Sequence, residues 1–359
     1  MIIESIHTRG FRNLNNVLFT PSSGLNFLVG SNGQGKTNLL EACYFGATTR
    51  SPRVNDIKAM ISHGQDNAVV ELSYNRELKS HQAKVVIYPQ GKTIIHDGTM
   101  IKKASDYIGK LLIVLFLPSD VTIIDGPPNG RRKLIDEELV KSDGKYMTTL
   151  MKTNTLLKQR NLILKQETID HDYLKVITDQ WVNHASNLIY QRYGFIQWLN
   201  QVLPLMYSNI LNTSSKASVR YHCGFDPISN IQIALMDKLN QTKMDEKRYK
   251  VTMVGPQKDD IQFYLDDQPA RFVASQGQKR ALILAYKLCI CQWIHQLCDQ
   301  YPILLLDDVL SELDGLNQQH FVEMISTNTQ TLITTTRKEG WFDQLGKVVS
   351  IDHGRIIDY

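Results

Sequence analysis

Gly30-Ser31-Asn32-Gly33-Gln34-Gly35-Lys36-Thr37 is the stretch on which the reading of this chain turns. It fits the pattern G-x-x-x-x-G-K-[ST]. The apolar run Leu25-Asn26-Phe27-Leu28-Val29 precedes it and the helix-forming Asn38-Leu39-Leu40-Glu41-Ala42 follows, which is the strand, loop and helix that the pattern requires. Glycines let the backbone turn its N–H groups inward around phosphate oxygens, and the helix N-terminus beyond adds a dipole that favours negative charge. All eight residues are therefore candidate ATP contacts. Lys36 is expected to reach the β- and γ-phosphates, and Thr37 to bind Mg²⁺ through its hydroxyl. The competing interpretation, a chance glycine-rich turn, has to account for both the full match and the flanking elements.

Near the other end, Ile303-Leu304-Leu305-Leu306-Asp307-Asp308 is a short apolar run closing on two carboxylates. In a nucleotide site the first acid, Asp307, holds hydrated Mg²⁺, and the second, Asp308, orients or deprotonates the attacking water. Asp308 is one methylene shorter than a glutamate, so slow hydrolysis is expected. Lys36 and Asp307 stand 271 positions apart, and something large must be inserted between them. Just upstream of the acidic run lies Ala274-Ser275-Gln276-Gly277-Gln278-Lys279-Arg280, opening a helix. A Ser hydroxyl, a Gly backbone and a helix N-terminus make a second anion site, with Ser275, Gly277 and Gln278 as its candidates. The first loop already encloses one triphosphate, so the simplest role for the second is the γ-phosphate of a nucleotide held by another copy, with ATP cementing a symmetric dimer. The plainer alternative for Ser275 is an ordinary helix N-cap.

The remaining text sets the frame. Forty basic against 36 acidic residues give a charge of +4, which permits nucleic-acid contact without arguing for it. The five cysteines, Cys43, Cys223, Cys289, Cys291 and Cys298, lack zinc-ligand spacing and read as reduced thiols. Apolar runs such as Leu111 to Leu117 fall short of the roughly 18 residues that span a bilayer, so a cytoplasmic protein without a membrane span is expected. Strands are read at Ile2 to Ile6, Gly24 to Gly30, Ala68 to Tyr74, Lys84 to Tyr88, Thr93 to His96, Ile261 to Leu265 and Ala270 to Val273. Helical spacing marks Lys145 to Gln166, Asn230 to Lys243, Gln276 to Cys298, and one long amphipathic helix carrying Leu174, Ile177, Trp181, Ala185, Leu188, Ile196, Leu199 and Leu203, with Arg192 the polar member of that face. The expected architecture is α/β: a P-loop ATPase lobe with a mixed sheet, built from residues 1–125 and 249–359, and a second, mainly helical lobe from residues 126–248.

Together these segments are similar to the signature motif and D-loop of the ABC ATPases, in the branch that includes the SMC proteins, and the chain resembles the RecF family within it. The resemblance rests on Phe11-Arg12-Asn13-Leu14, the run from Gly24 to Ala42, Leu115-Phe-Leu-Pro-Ser-Asp120, Gly126-Pro-Pro with Arg131-Arg132-Lys133-Leu-Ile-Asp136, Gly255-Pro-Gln-Lys-Asp-Asp260, Ser275-Gln-Gly-Gln278 and Leu306-Asp-Asp-Val-Leu-Ser-Glu-Leu-Asp314. It implies an ABC-type ATPase fold and an ATP-dependent DNA-binding protein of recombinational repair. Such a protein dimerises on ATP, engages duplex DNA near gaps, and works with RecR and RecO to load RecA onto strands coated with SSB. Weak, DNA-stimulated hydrolysis then releases it. The resemblance also implies that Arg12 reaches the nucleotide, with surface decoration as the plainer alternative.

The chain departs from the family pattern at Gln257-Lys258, where His-Arg is usual, and an ammonium there loses bidentate geometry. Thr331-Leu-Ile-Thr-Thr-Thr336 offers hydroxyls where ABC transporters place a histidine switch. Candidate phosphate contacts to DNA are Arg131, Arg132, Lys133, Lys141, Lys145, Lys152, Lys158, Arg160, Lys165, Lys243, Lys247, Arg248 and Lys250, with Arg50 and Arg53 facing DNA or nucleotide. A solvated helix face is the plainer reading of each. The rival functions are a nucleotide-binding subunit of an ABC transporter and a clamp that binds ATP without turning it over.

Overall fold

Strands buried along their whole length need cover on both faces, and four of them, Leu25–Val29, Thr331–Thr335, Ile303–Leu306 and Ile113–Phe116, lie side by side. The computed structural model describes residues 1–226, 230–312, 315–325 and 329–358. These divide into two units, Met1–Asp120 with Ile290–Tyr359, and Val121–Cys289.

The first unit holds two six-stranded sheets. One runs in the order Arg355–Asp358, Gly346–Asp352, Leu25–Val29, Thr331–Thr335, Ile303–Leu306, Ile113–Phe116. All its pairings are parallel except the C-terminal hairpin, so the N- and C-terminal thirds do share a mixed sheet. Asn26 is the polar exception in the fully buried strand Leu25–Val29. Its amide is spent on the carbonyls of Ser22, Gly24 and Thr331. The other sheet is an antiparallel meander, Leu14–Phe19, Ile2–Phe11, Ala68–Arg76, Lys79–Tyr88, Gly91–His96, Thr99–Ile101. Residues of both sheets and of the helix Lys36–Thr48 join one apolar core that includes Phe11, Leu28, Leu39, Phe45, Leu72 and Leu305.

The second unit is mainly helical. Its longest element, His171–Leu211, buries Ile177, Trp181, Ala185, Leu188, Ile196, Leu199 and Leu203 along one stripe, as the spacing predicts. Arg192 shares that stripe and is neutralised by Asp136 at 2.8 Å. A three-stranded antiparallel sheet, Gln268–Pro269, Asp260–Leu265 and Ala217–His222, accompanies the helices. It moves the division between the units away from the expected 125/126 and 248/249. Asp260–Leu265 pairs with a strand from the middle of the chain, and Lys279 and Lys287 of the helix Gln276–Cys298 bind Asp125 and Glu138. One expected strand is absent: Ala270–Val273 forms a helical turn, closed by the Ala274 N–H on the Ala270 carbonyl. Pro269 at φ −58° presets helical φ and donates no ladder bond, which explains the difference. The helix Gln276–Cys298 is long and apolar enough to cross a membrane by length and composition, but 67% of its most apolar window is buried inside the protein.

Candidate functional site

Three parallel strands end at the same edge of the mixed sheet, and their carboxyl ends deliver the candidate groups. Val29 leads into the loop Gly30–Gly35, Leu306 into Asp307 and Asp308, and the intervening strand supplies Thr334. Gly33 and Gly35 take φ +81° and +110°, in the left-handed region that favours glycine. A Cβ on Gly30 would meet the Ile351 carbonyl oxygen at 2.3 Å, so the loop passes too close to the neighbouring strand for any side chain there. Gln34 is gripped by the C-terminal hairpin: its carbonyl accepts the Gly354 N–H at 2.8 Å and its side-chain oxygen the His353 N–H at 2.6 Å. Ser31, Asn32 and Gly33 lie at the exposed rim.

The helix that follows, Lys36–Thr48, begins on Gly35 with no side chain capping its first amides. By contrast, Asp143, Asp170 and Asn230 cap the helices that follow them. Uncapped amides at a helix start are donors reserved for an outside acceptor. Lys36 is 7% exposed, and its Nζ donates to the Gly30 carbonyl and, at 2.8 Å, to that of Ser31. Burial lowers its pKa from the ordinary lysine value, against the pull of Asp308 and Asp307.

Thr37 and Asp307, 270 positions apart, meet directly: the hydroxyl lies 2.8 and 3.0 Å from the two carboxylate oxygens. Thr334 donates its hydroxyl to Asp307 Oδ1 at 2.7 Å and accepts the Asp308 N–H at 2.9 Å. The hydroxyl strand that lacks a histidine thus holds both acids. Burial raises the Asp307 pKa, opposed by the hydrogen bonds from Thr334 and Thr37. Asp308 sits at φ +49°, and its Oδ1 is buried without a hydrogen-bond partner. Such an oxygen in a folded interior marks a place where a water or ion belongs. A carboxylate and a hydroxyl in contact, with a second acid alongside, is an all-oxygen donor set suited to Mg²⁺.

The segment Ser275–Gln278 belongs to the second unit and is built differently. The Ser275 N–H donates to Gln278 Oε1 at 2.9 Å, and the Gln278 N–H donates to Ser275 Oγ at 3.2 Å. This reciprocal pair is a capping box. Ser275 and Gly277 are exposed, and a Cβ on Gly277 would touch nothing within 4 Å. Lys279, the next residue, is buried and anchors the turn on Asp125. Leu313 and Asp314 of the expected D-loop lie outside the described residues.

Comparison with known proteins decides the family. The model of the RecF/RecN/SMC N-terminal domain matches residues 2–355. The DNA replication and repair protein RecF of Lactobacillus acidophilus is 36% identical over 350 residues, covering 95% of this chain and 93% of that relative. The chain belongs to the RecF family. RecF of Streptococcus equi subsp. zooepidemicus is likewise 36% identical, over 98% of this chain and 96% of its own. The solved structure of the recombination mediator RecF with ATP superposes with a TM-score of 0.90 at 26% identity, covering 100% of this chain and 97% of that one. An SMC head bound to the C-terminal winged-helix domain of ScpA shares the fold at TM-score 0.59 and 16% identity, covering 100% of this chain and 98% of its own.

Within this RecF-family chain, Arg12 is committed to its own unit. Its guanidinium grips Glu41 at 2.8 and 3.1 Å and donates to the Ala59 carbonyl at 2.7 Å. Glu41 is 1% exposed and also takes bonds from Ser51 and Arg53. The spacing of Glu41, one turn beyond Thr37, makes Arg12 a brace for the P-loop helix.

Three candidate DNA contacts are corrected. Arg131, Lys141 and Arg160 are buried and paired with Asp260, Glu138 and Glu246. The helical pattern did not reveal that these cations face inward, because their partners lie far along the chain or on the same face. Lys133, Lys145, Lys152, Lys158, Lys165, Lys243, Lys247, Arg248 and Lys250 are exposed.

The segment Gly255–Asp260 closes the same buried network. Asp260 receives Arg131 on both oxygens, Asp259 accepts from Tyr221, and Arg192 donates to the Pro256 carbonyl. Burial pushes the Asp259 pKa up to about 6, against the Tyr221 bond and the charges of Arg192 and Arg132. Lys258 is exposed on the turn, outside that network. Sequence reasoning missed Thr334 and the grip of His353-Gly354 on Gln34. A Gly in a C-terminal hairpin turn was the available signal for the second.

Proposed function

We propose that this chain is an ATP-dependent DNA-binding protein of recombinational repair and replication restart, with a weak ATPase stimulated by DNA. One observation carries the reading. Thr37 and Asp307 are brought into contact beside a buried, unpartnered oxygen of Asp308, at the foot of a helix whose first amides are uncapped. ATP would lie along Gly30–Thr37, with Lys36 exchanging its two carbonyl partners for phosphate oxygens. Thr37 and Asp307 would hold Mg²⁺, which when bound neutralises charge on the β- and γ-phosphates. Asp308, its backbone fixed by Thr334, orients the attacking water, and its short side chain keeps hydrolysis slow. Ser275, Gly277 and Gln278 complete the site of a second copy, so ATP drives dimerisation. The dimer engages duplex and gapped DNA through exposed lysines and acts with RecR and RecO to place RecA on SSB-coated strands.

ATP turnover measured with and without duplex DNA, together with sedimentation in ATP and in ADP, tests this. Expected are a slow basal rate that DNA raises and a dimer seen with ATP alone. Turnover indifferent to DNA would return the transporter reading, and DNA binding with no hydrolysis would return the clamp.

A further inference from the structure

A second cluster of chemically able side chains lies in the antiparallel sheet of the first unit, independent of the nucleotide site. Tyr74 and His81 are cross-strand partners, while His96 pairs with Ala83, two residues along from His81. Period-two alternation therefore puts His81 and His96 on one face as diagonal neighbours. Their rings stack at 5.6 Å between centroids. Asp97 follows at once in the two-residue turn Asp97-Gly98, where φ values of +48° and +75° suit the hairpin turn that Asp-Gly favours.

The turn aims the carboxylate. Asp97 Oδ1 accepts the Gln82 N–H at 2.8 Å, which turns Oδ2 toward both imidazoles, 2.8 Å from His81 Nδ1 and 3.3 Å from His96 Nδ1. All three donor atoms lie within 4.8 Å of one another. A tetrahedral ion bound at ~2.0–2.1 Å holds its ligand atoms about 3.3 Å apart; the two nitrogen-to-carboxylate spacings lie near that value, and the third stays within 4.8 Å. Behind the cluster, His96 Nε2 meets the hydroxyl of buried Tyr74 at 2.8 Å. A partner on the far nitrogen fixes the ring and leaves Nδ1 to face the centre, as outer groups do for metal-bound imidazoles. His81 and Asp97 keep side-chain exposures of 25% and 44%, so an ion and one water have access.

We propose that His81, His96 and Asp97 form a three-residue site for a divalent transition-metal ion. Two imidazole nitrogens and one carboxylate select zinc over the magnesium that the nucleotide site takes. Without the ion, protons occupy the Nδ1 to Oδ2 contacts. Binding moves each proton to Nε2 of the same neutral ring, where that of His96 is donated to Tyr74. The ion would clip the strand Lys79–Tyr88 to the turn at Asp97 and stiffen that edge of the sheet.

Chelator-stripped full-length chain, free of nucleotide, is titrated with Zn²⁺ by calorimetry and with Co²⁺ by visible absorption. One ion per chain at micromolar affinity or tighter is expected, with a tetrahedral cobalt band. Asp97→Asn preserves a residue that tolerates the left-handed turn, and His81→Gln keeps a polar group at a half-exposed position. Each should lose the cobalt band and at least tenfold in zinc affinity, while Tyr74→Phe weakens it by about 10- to 100-fold. Circular dichroism of the metal-free variants verifies the fold. Zinc affinity unchanged in both Asp97→Asn and His81→Gln, or no zinc uptake by the native chain, overturns the proposal.

Discussion

Two helix starts in this molecule carry the same kind of residues and are finished in opposite ways. At Gly35-Lys36 the first turn has no capping side chain, the loop before it is held from outside by His353, Gly354 and Asn13, and its donors are left over. At Ser275–Gln278 a reciprocal side-chain pair caps the start by engaging the Ser275 and Gln278 N–H groups, and the turn stands exposed. Both sequences read as anion sites, since glycine, hydroxyl and helix start occur in each. The difference teaches where free energy has been set aside for a ligand. The first start holds uncapped donors beside an unpartnered acceptor, Asp308 Oδ1, whereas at the second the Gln278 amide is already engaged by Ser275 Oγ.

The largest effect tests the first of these. Asp307→Asn removes the carboxylate on which Thr37 and Thr334 converge, and the ATPase rate is expected to fall by about a thousandfold, the scale of losing an organised electrostatic group. Stability should not fall with it. Because burial raises the Asp307 pKa, the folded chain binds that proton more tightly than the unfolded one does. The stabilisation this gives is complete below the unfolded carboxylate value and disappears as pH rises through the raised folded value. Denaturation midpoints should therefore show the native chain losing ground to Asp307→Asn as pH rises above the ordinary carboxylate range. A variant that loses activity only by unfolding at neutral pH would erase the contrast between the two helix starts.

How far the sequence foretold this site depends on the kind of contact. The loop Gly30–Thr37 and the run ending at Asp307 are legible because each needs only local chemistry, a strand, a turn and a residue type. Their neighbour was not: Thr334 is one hydroxyl among several in Thr331–Thr336, and only the parallel register beside Ile303–Leu306 selects it. Arg192 stood out as polar on an apolar stripe, and burial against Asp136 confirmed its oddity. Arg131 and Arg160 carried no such mark, since their partners Asp260 and Glu246 lie 129 and 86 positions away. The turn at Ala270–Val273 carries the strand-favouring Phe272 and Val273, while Pro269 just before it presets a helical φ that overrides them.

A smaller effect probes the backbone at the first start. Gly35→Ala places a Cβ at φ +110° and 2.9 Å from Asn13 Oδ1, so the loop must shift. Stability should drop by about 1–3 kcal/mol, the cost of a strained left-handed residue. ATP affinity should fall further than that strain alone implies, as the amides leave their aim. Calorimetric ATP titration beside thermal denaturation separates the two. Equal losses in both would mean that the amides play no part.

The smallest expected effect lies at the second start and separates its two roles. Ser275→Ala deletes the cap and should cost roughly 1 kcal/mol, read as a small drop in the denaturation midpoint. Ser275→Asp restores the cap, because a carboxylate accepts the Gln278 N–H as the hydroxyl does and also suits the helix dipole. Its midpoint should match the native chain within a few tenths of a kcal/mol. Yet a carboxylate repels a γ-phosphate, so ATP-dependent dimerisation in sedimentation should weaken by at least tenfold in Ser275→Asp while ATP binding by the monomer stays intact. A stable Ser275→Asp that dimerises on ATP like the native chain would leave Ser275 as a cap and nothing more.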